Sequence, residues 1–409
     1  MKAFLKQIGP GFLLAGAAIG VSHLVQATRA GADYGVILIT AILLACLTKY
    51  PFMEFGSRYA SATGKNLIEG YRTLGKPYVY TFAVITICTM FIIQAAVTLV
   101  SAGLAEYLFQ LGWSNFDWSL ALSIACILML WIGKYSKLDL LMKIVISLLT
   151  ISTLFSVIIA GFQVDFSSLN FNKSSELWTV GGIGFIIALM GWMPIPIDAS
   201  IWHSIWMQEK SKQNKRKATI KEANYDFNIG YISATVLGVL FFLMGLFIMN
   251  SSEVQLASGS VAFSAQLIEM YTKTLGEWSR VLIAFIAFVT MFSTTLTVTD
   301  AFPRVMTKLT QPKNKTYKHL NLYHVFVIFI PVIALIILYS FKNKFIVLVD
   351  FAAGLSFLAS PVLAWFNLKL ITNKNNSVKI SKTYLMLSKV CLFFLVCFGL
   401  FYLIFEVTT

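Results

Sequence analysis

Charge is what this sequence has least of. Only 12% of its 409 residues are Asp, Glu, Lys or Arg, about half the share a soluble domain carries, while 58% are hydrophobic and the mean hydropathy is +0.77. So few charges cannot clothe a chain of this length in water, which excludes a soluble enzyme, a secreted module and a disordered protein. Histidine is also scarce, with four in all, and the five cysteines (Cys46, Cys88, Cys126, Cys391, Cys397) fall inside apolar stretches without zinc-type or redox-type spacing. They read as small core or lipid-facing residues. Nucleotide-binding machinery is missing: Gly64-Lys65-Asn66 lacks the first glycine of a phosphate loop at the required spacing and the hydroxyl residue after the lysine. No nucleophile elbow or zinc-protease motif occurs either. The sequence thus predicts no enzyme, no resident cofactor, and neither ATP nor nucleic acid as a partner.

What is present is a succession of long apolar runs. A bilayer core of about 30 Å needs roughly 20 apolar residues per helix. That ruler finds eleven candidate spans, near 9–28, 35–56, 78–108, 116–133, 138–162, 179–207, 227–250, 279–302, 322–341, 345–368 and 384–405. The excess of positive charge, +14 overall, sits in short connections between them, so its reading is topological rather than a nucleic-acid footprint. Alternating the connections puts 26 of the 32 Lys and Arg on one side, including the five of 49–76, and six on the other, among them Arg29, Lys173 and Lys344. This predicts a cytoplasmic N-terminus, an external C-terminus and a lipid-bilayer setting, a bacterial inner (plasma) membrane. Lys2 and Lys6 precede an apolar stretch, yet no small-residue cleavage site follows and ten further spans do, so a signal peptide is not expected.

Two spans are interrupted. The first carries Gly9-Pro10-Gly11 and then Gly20-Val21-Ser22-His23 near mid-span; the sixth carries Gly191-Trp192-Met193-Pro194-Ile195-Pro196-Ile197-Asp198. Two prolines two residues apart remove two amide donors and clash with the preceding turn, so no helix should run through 192–198. Spans one and six are corresponding members of two five-helix halves, with the eleventh left over. Paired interruptions of that kind point to the midplane site of an inverted-repeat secondary transporter. A pair of packing kinks is the alternative, since Gly and Pro are common in membrane helices. The expected domain is a single transporter unit over 1–409, with a first repeat at about 9–162, a second at about 179–368 and an extra helix at about 384–405.

Ionisable groups at membrane depth sharpen the expectation. A mid-helix carboxylate costs about 2.5–3.5 kcal/mol on insertion scales, so Asp198 needs a cavity, a use or a partner. His23, at the other break, is the candidate partner, and the two together are able to carry a proton; a neutral hydrogen bond joining two helices is the competing reading. His203 either extends this polar path or sits near an interface between Trp202 and Trp206. Asp300 suits a salt bridge with Arg304, Gln94 a polar contact within the bundle, and Asp350 and Glu54 interfacial positions near span ends.

With eleven spans and breaks in one and six, particular phrases stand out. Gly9-Pro10-Gly11-Phe12 and Ala30-Gly31-Ala32-Asp33-Tyr34-Gly35 resemble the first helix of the Nramp family of proton-coupled divalent-metal transporters, and Met193-Pro194 resembles the start of its Met-Pro-His motif in the sixth. The resemblance implies an all-α, leucine-transporter-like 5+5 inverted repeat plus one helix, and transport by alternating access. It also implies a gap. The family's Asp-Pro-Gly-Asn motif falls on Gly20-Val21-Ser22-His23, its His-Asn on Ile195-Pro196, and the third-helix acidic positions on Gln94 and Val97. Met193 carries over as a metal ligand, with His23 and Asp198 as the further candidates. Imidazole and thioether are softer donors than the oxygens a hard divalent ion prefers.

The expected substrate-binding set is therefore Gly20, Ser22, His23, Gly191, Trp192, Met193 and Asp198. Asp198, His23 and His203 are expected to move the coupling proton, and His23, Met193 and Asp198 to bind a transported metal. The same pocket would also accept a small organic solute such as an amino acid, and a channel or non-transporting receptor is the second class of reading.

Overall fold

The structure, a computed structural model, describes residues 9–132, 136–165, 177–250, 257–310, 322–341, 344–374 and 378–408. Apolar runs with no water to satisfy their backbone must become helices, and they do. The helices are α1 (Pro10–Ala18), α2 (Ser22–Tyr34), α3 (Leu38–Thr63), α4 (Leu67–Leu74), α5 (Lys76–Phe109), α6 (Asn115–Ile132), α7 (Ser136–Gln163) and α8 (Val180–Trp192). They continue as α9 (Ala199–Gln213), α10 (Ile220–Met249), α11 (Ser260–Leu275), α12 (Ser279–Thr310), α13 (Leu322–Ser340), α14 (Phe345–Ile371) and α15 (Lys382–Thr408). Among the described residues nine are long and apolar enough to cross a membrane, or ten if α1 and α2, bent by 45° at a short break, form one span. Outward-facing residues such as Leu47, Trp131, Phe162, Trp278 and Phe393 are apolar, as a lipid-facing surface requires.

Both expected interruptions are present. The first span stops at Ala18, where Ile19 and Gly20 leave the helical conformation, and resumes at Ser22 with a wide turn over Ser22–Ala27. The sixth stops at Trp192, because Met193 precedes a proline and takes an extended conformation (ψ 127°), and resumes only at Ala199. Helices α4 and α11 were not expected from the sequence. Helix α4 is short and opens on a capping box, the Asn66 side chain accepting from the Glu69 amide while Glu69 accepts from the Asn66 amide.

Without a hydrophobic drive between helices in lipid, association depends on close backbone approach at small residues. Helix α10 clamps the first span in this way at both ends. A side chain on Gly11 would collide with the Asp226 carbonyl and one on Gly230 with the Gly11 carbonyl; farther along, Gly31 faces the Phe242 carbonyl and Gly245 the Thr28 carbonyl. Asp226 completes the lower clamp by accepting from the Gly9 amide (2.9 Å) and the Gly11 amide (2.7 Å), which would otherwise be free at the start of α1.

Three charges depart from their expected places. Glu54 is buried against Arg58 (2.8 Å), Arg29, counted among loop cations, is buried and pairs with the partly exposed Asp350 (2.7 Å), and Lys49, counted there too, is fully buried within α3. Asp300 does pair with Arg304 (2.6 Å), and Gln94 does bridge helices, donating to Thr299 (3.0 Å). The clamp makes a direct prediction. Gly31→Leu should cost roughly 1–3 kcal/mol through overpacking and lower the thermal midpoint of the detergent-solubilised protein. Gly184→Ala, with nothing within 4 Å of the added carbon, should not lower it. Equal midpoints for the two variants would show that α10 does not hold the first span by contact.

Candidate functional site

A helix that stops inside a membrane leaves carbonyls without partners, and each break is closed by one side chain from elsewhere. At the first break the Thr294 hydroxyl of α12 lies within donating distance of the Gly16 carbonyl (2.9 Å) and the Ile19 carbonyl (3.1 Å), and the Ser22 hydroxyl donates to the Ala18 carbonyl (2.8 Å). Gly20 is required there because a side chain would meet Thr294 at 2.8 Å. At the sixth-span break the ammonium of Lys49 donates to the carbonyls of Gly191 (2.7 Å), Met193 (3.0 Å) and Ile195 (3.3 Å). Its three protons meet three acceptors at the negative end of α8.

The two breaks border a cavity of about 30 Å³, room for little more than a water molecule. Val21 and Ser22 reach it from the first break, Trp192, Ile195 and Pro196 from the sixth, and Thr294 from α12. Val97, at a position where the resemblance leads one to expect an acid, is part of its wall. The lining is apolar apart from two hydroxyls and the indoles of Trp202 and Trp192, the latter donating to Ser356 of α14 (2.9 Å).

The expected site residues divide by where the structure puts them. Gly20, Ser22 and Trp192 are at the cavity or its edge. Gly191 has a packing role: the Ala353 carbonyl of α14 occupies the place of a side chain. Met193 is fully buried with its sulfur against Gly238 of α10, and the His23 ring borders the same glycine, so these two candidate ligands do converge. Both nitrogens of His23 are engaged, Nδ1 with the Ser22 hydroxyl (2.8 Å) and Nε2 with the Ala234 carbonyl (2.8 Å). Asp198 is not its hydrogen-bond partner. That carboxylate stands at the N-terminus of α9, where the helix dipole favours it, with Oδ1 buried and unpartnered. His203 is buried rather than interfacial; its ring lies near Phe227 and its Nε2 is 4.0 Å from Asp226, at the start of α1. Among the described residues no group of three or more His, Cys, Asp or Glu side chains is placed to hold a metal ion.

Sequence reasoning missed Lys49 and Thr294. For Lys49 the signal was available, since a lysine inside an apolar span is expensive and hence purposeful. Thr294 opens the run Thr294-Thr295-Leu296-Thr297-Val298-Thr299, but nothing in that pattern says which hydroxyl meets a helix end. Beyond the cavity, Arg29 and Gln26 of α2 both donate to Asp350 of α14 (2.7 and 2.8 Å), and the Arg29 guanidinium lies 4.6 Å from the Phe185 ring of α8. This polar tie joins the second half of the broken first span to two neighbours.

Comparison with known proteins fits this geometry. The family model described as natural resistance-associated macrophage protein-like, Nramp, matches residues 11–405. An uncharacterized protein of Pasteurella multocida is 36% identical over 406 residues, covering 97% of this chain and 91% of that one. The divalent metal cation transporter MntH of Staphylococcus aureus is 26% identical over 267 residues, 62% of this chain and 57% of that protein. Among solved structures, the manganese transporter of Eremococcus coleocola superposes with a TM-score of 0.75 at 17% identity, over 98% of this chain and 86% of that one. MhsT in complex with L-phenylalanine superposes at 0.69 and 15% identity, over 97% and 98%. These neighbours share the fold, a leucine-transporter-like helical bundle. With a family match over nearly its whole length, the chain belongs to the Nramp family and is an integral membrane transporter rather than an enzyme.

Proposed function

We propose that the protein is a secondary carrier that moves a divalent metal cation across a bacterial inner membrane by alternating access, driven by protons. The observation that carries this reading is the meeting of two interrupted helices at one small cavity, within an Nramp chain. The pair α8 and α9 counts as the sixth span, which brings the total to eleven. The repeats are 9–162 and 179–368, the N-terminus is cytoplasmic and the C-terminus external. Removing Lys49 and Arg29 from the loop cations leaves the charge asymmetry that supports this orientation intact.

Charge logic puts the cation next to Asp198, whose buried Oδ1 has no hydrogen-bond partner, with the Ser22 hydroxyl as a further oxygen donor. Met193 becomes a ligand if its sulfur leaves Gly238. His23 does so only on giving up one of its two hydrogen bonds, which suits it better to linking cavity and α10. Asp198 and His203 are the groups placed to take up the coupling proton, one at each end of the first two turns of α9.

A specific observation favours one other cargo. Trp192, Trp202, Ile195 and Pro196 give the cavity a largely apolar wall beside two hydroxyls, the chemistry of a site for a small organic solute such as an amino acid, which would require the cavity to widen.

Proteoliposomes distinguish these readings. Uptake of Mn²⁺ or Cd²⁺ should be saturable and should fall when a protonophore collapses the proton gradient. If no divalent metal is transported or bound while an amino acid shows counterflow, the cargo is organic; conductance that follows an ion's reversal potential would instead indicate a channel. Asp198→Asn, which keeps shape and removes charge, should reduce metal uptake by roughly tenfold or more, as loss of metal-site carboxylates does, with the protein still monodisperse. Wild-type flux in that variant would remove Asp198 from the site.

A further inference from the structure

Lys49 is the least expected charge in the molecule. It lies in α3 with no exposure to solvent, and among the described residues no carboxylate is within ion-pair distance of it. Asp198 acts on it only through space, without a direct contact, and a buried ammonium with neither water nor a contacting carboxylate is too costly to persist unless dipoles solvate it. Three do so here: the carbonyls of Gly191, Met193 and Ile195 converge on one nitrogen at 2.7, 3.0 and 3.3 Å. They come from the segment where two prolines prevent helical pairing, so no backbone amide continues the ladder beyond Met193. Three carbonyl oxygens around a compact monovalent charge, at the negative end of a half-helix, constitute a cation site.

We propose that the break of the sixth span is a monovalent-cation site occupied permanently by the chain's own Lys49 ammonium, a tethered cation in place of a free one. The ammonium fixes the broken segment, since three successive odd-numbered residues hang from one nitrogen, and thereby sets the positions of Trp192 and Pro196 in the cavity wall between them. It also makes the carrier indifferent to free sodium or potassium at this position. The proposal concerns the break itself and holds whichever cargo the cavity takes.

The test is thermal and needs no substrate. The full chain is purified in detergent as wild type, Lys49→Ala, Lys49→Gln and Lys49→Met, and unfolding midpoints are read in N-methylglucamine chloride with sodium or methylammonium chloride added. Lys49→Ala should melt lower than wild type by about 5 °C or more and recover at least half of that loss, saturably, with methylammonium or sodium; wild type should not respond. Lys49→Gln keeps two N–H donors without the charge, and Lys49→Met fills the volume without either; both should stay below wild type and neither should be rescued. If Lys49→Ala does not fold, Lys49→Gln decides: a midpoint equal to wild type shows that no cation is needed and overturns the proposal. A folded Lys49→Ala that ignores both cations overturns it as well. Rescue of Lys49→Ala alongside absent metal flux in wild type would leave the tethered cation standing and remove the metal-carrier reading.

Discussion

The structure turns on what happens to backbone carbonyls where a membrane helix stops. In lipid an unpaired carbonyl finds no water, so an interrupted helix survives only if another element supplies a donor at that point. Here two interruptions face each other and each has its donor: a threonine hydroxyl from α12 for the first span and a lysine ammonium from α3 for the sixth. Neighbouring features follow from that requirement. Gly20 is small because Thr294 must reach past it, and Gly191 because α14 packs on the last turn of α8. Helix α10 clamps both ends of the first span through glycines, so the bend between α1 and α2 has fixed arms.

The same requirement explains how the candidate site is built with so little charge. The cavity wall holds two hydroxyls, two indoles and apolar groups, while the charged residues are outside its lining: Lys49 at the sixth-span break, Asp198 at the head of α9, and Asp226 with His203 by the start of α1. Helix ends contribute partial charges of both signs, and each formal charge sits at the end whose dipole it complements: the cation at the carboxyl end of α8, the anions at the amino ends of α1 and α9. The resemblance to the family breaks down at the first-helix aspartate, and it is near that lost carboxylate that the hydroxyls of Ser22 and Thr294 now lie. Asp198 keeps a buried Oδ1 without a hydrogen-bond partner.

Much of this was legible in order along the chain. Span positions followed from runs of apolar residues, since the bilayer fixes length independently of neighbours. The sixth-span break followed from two prolines, whose missing amides act locally. The Asp300–Arg304 pair was legible too, because four residues on a helix is a local distance. Helices α4 and α11 were not: one is amphipathic and short, the other carries polar residues through a stretch too brief for a span, and neither pattern differs from a loop by composition alone.

Partnership across helices is a different kind of information. Arg29 and Asp350 are 321 residues apart, His23 found a backbone carbonyl of α10 instead of Asp198, and Lys49 passed for a loop cation because its sign matched the side to which alternation assigned it. By itself the sequence determined that the chain spans a membrane, roughly where its long apolar helices lie and that the sixth is interrupted, because hydropathy and proline chemistry act over a few residues. Only the tertiary structure decided which side chain closes each break and which carboxylate is left without a partner, because a membrane interior lets any donor within reach satisfy a stranded carbonyl, and reach is set by packing.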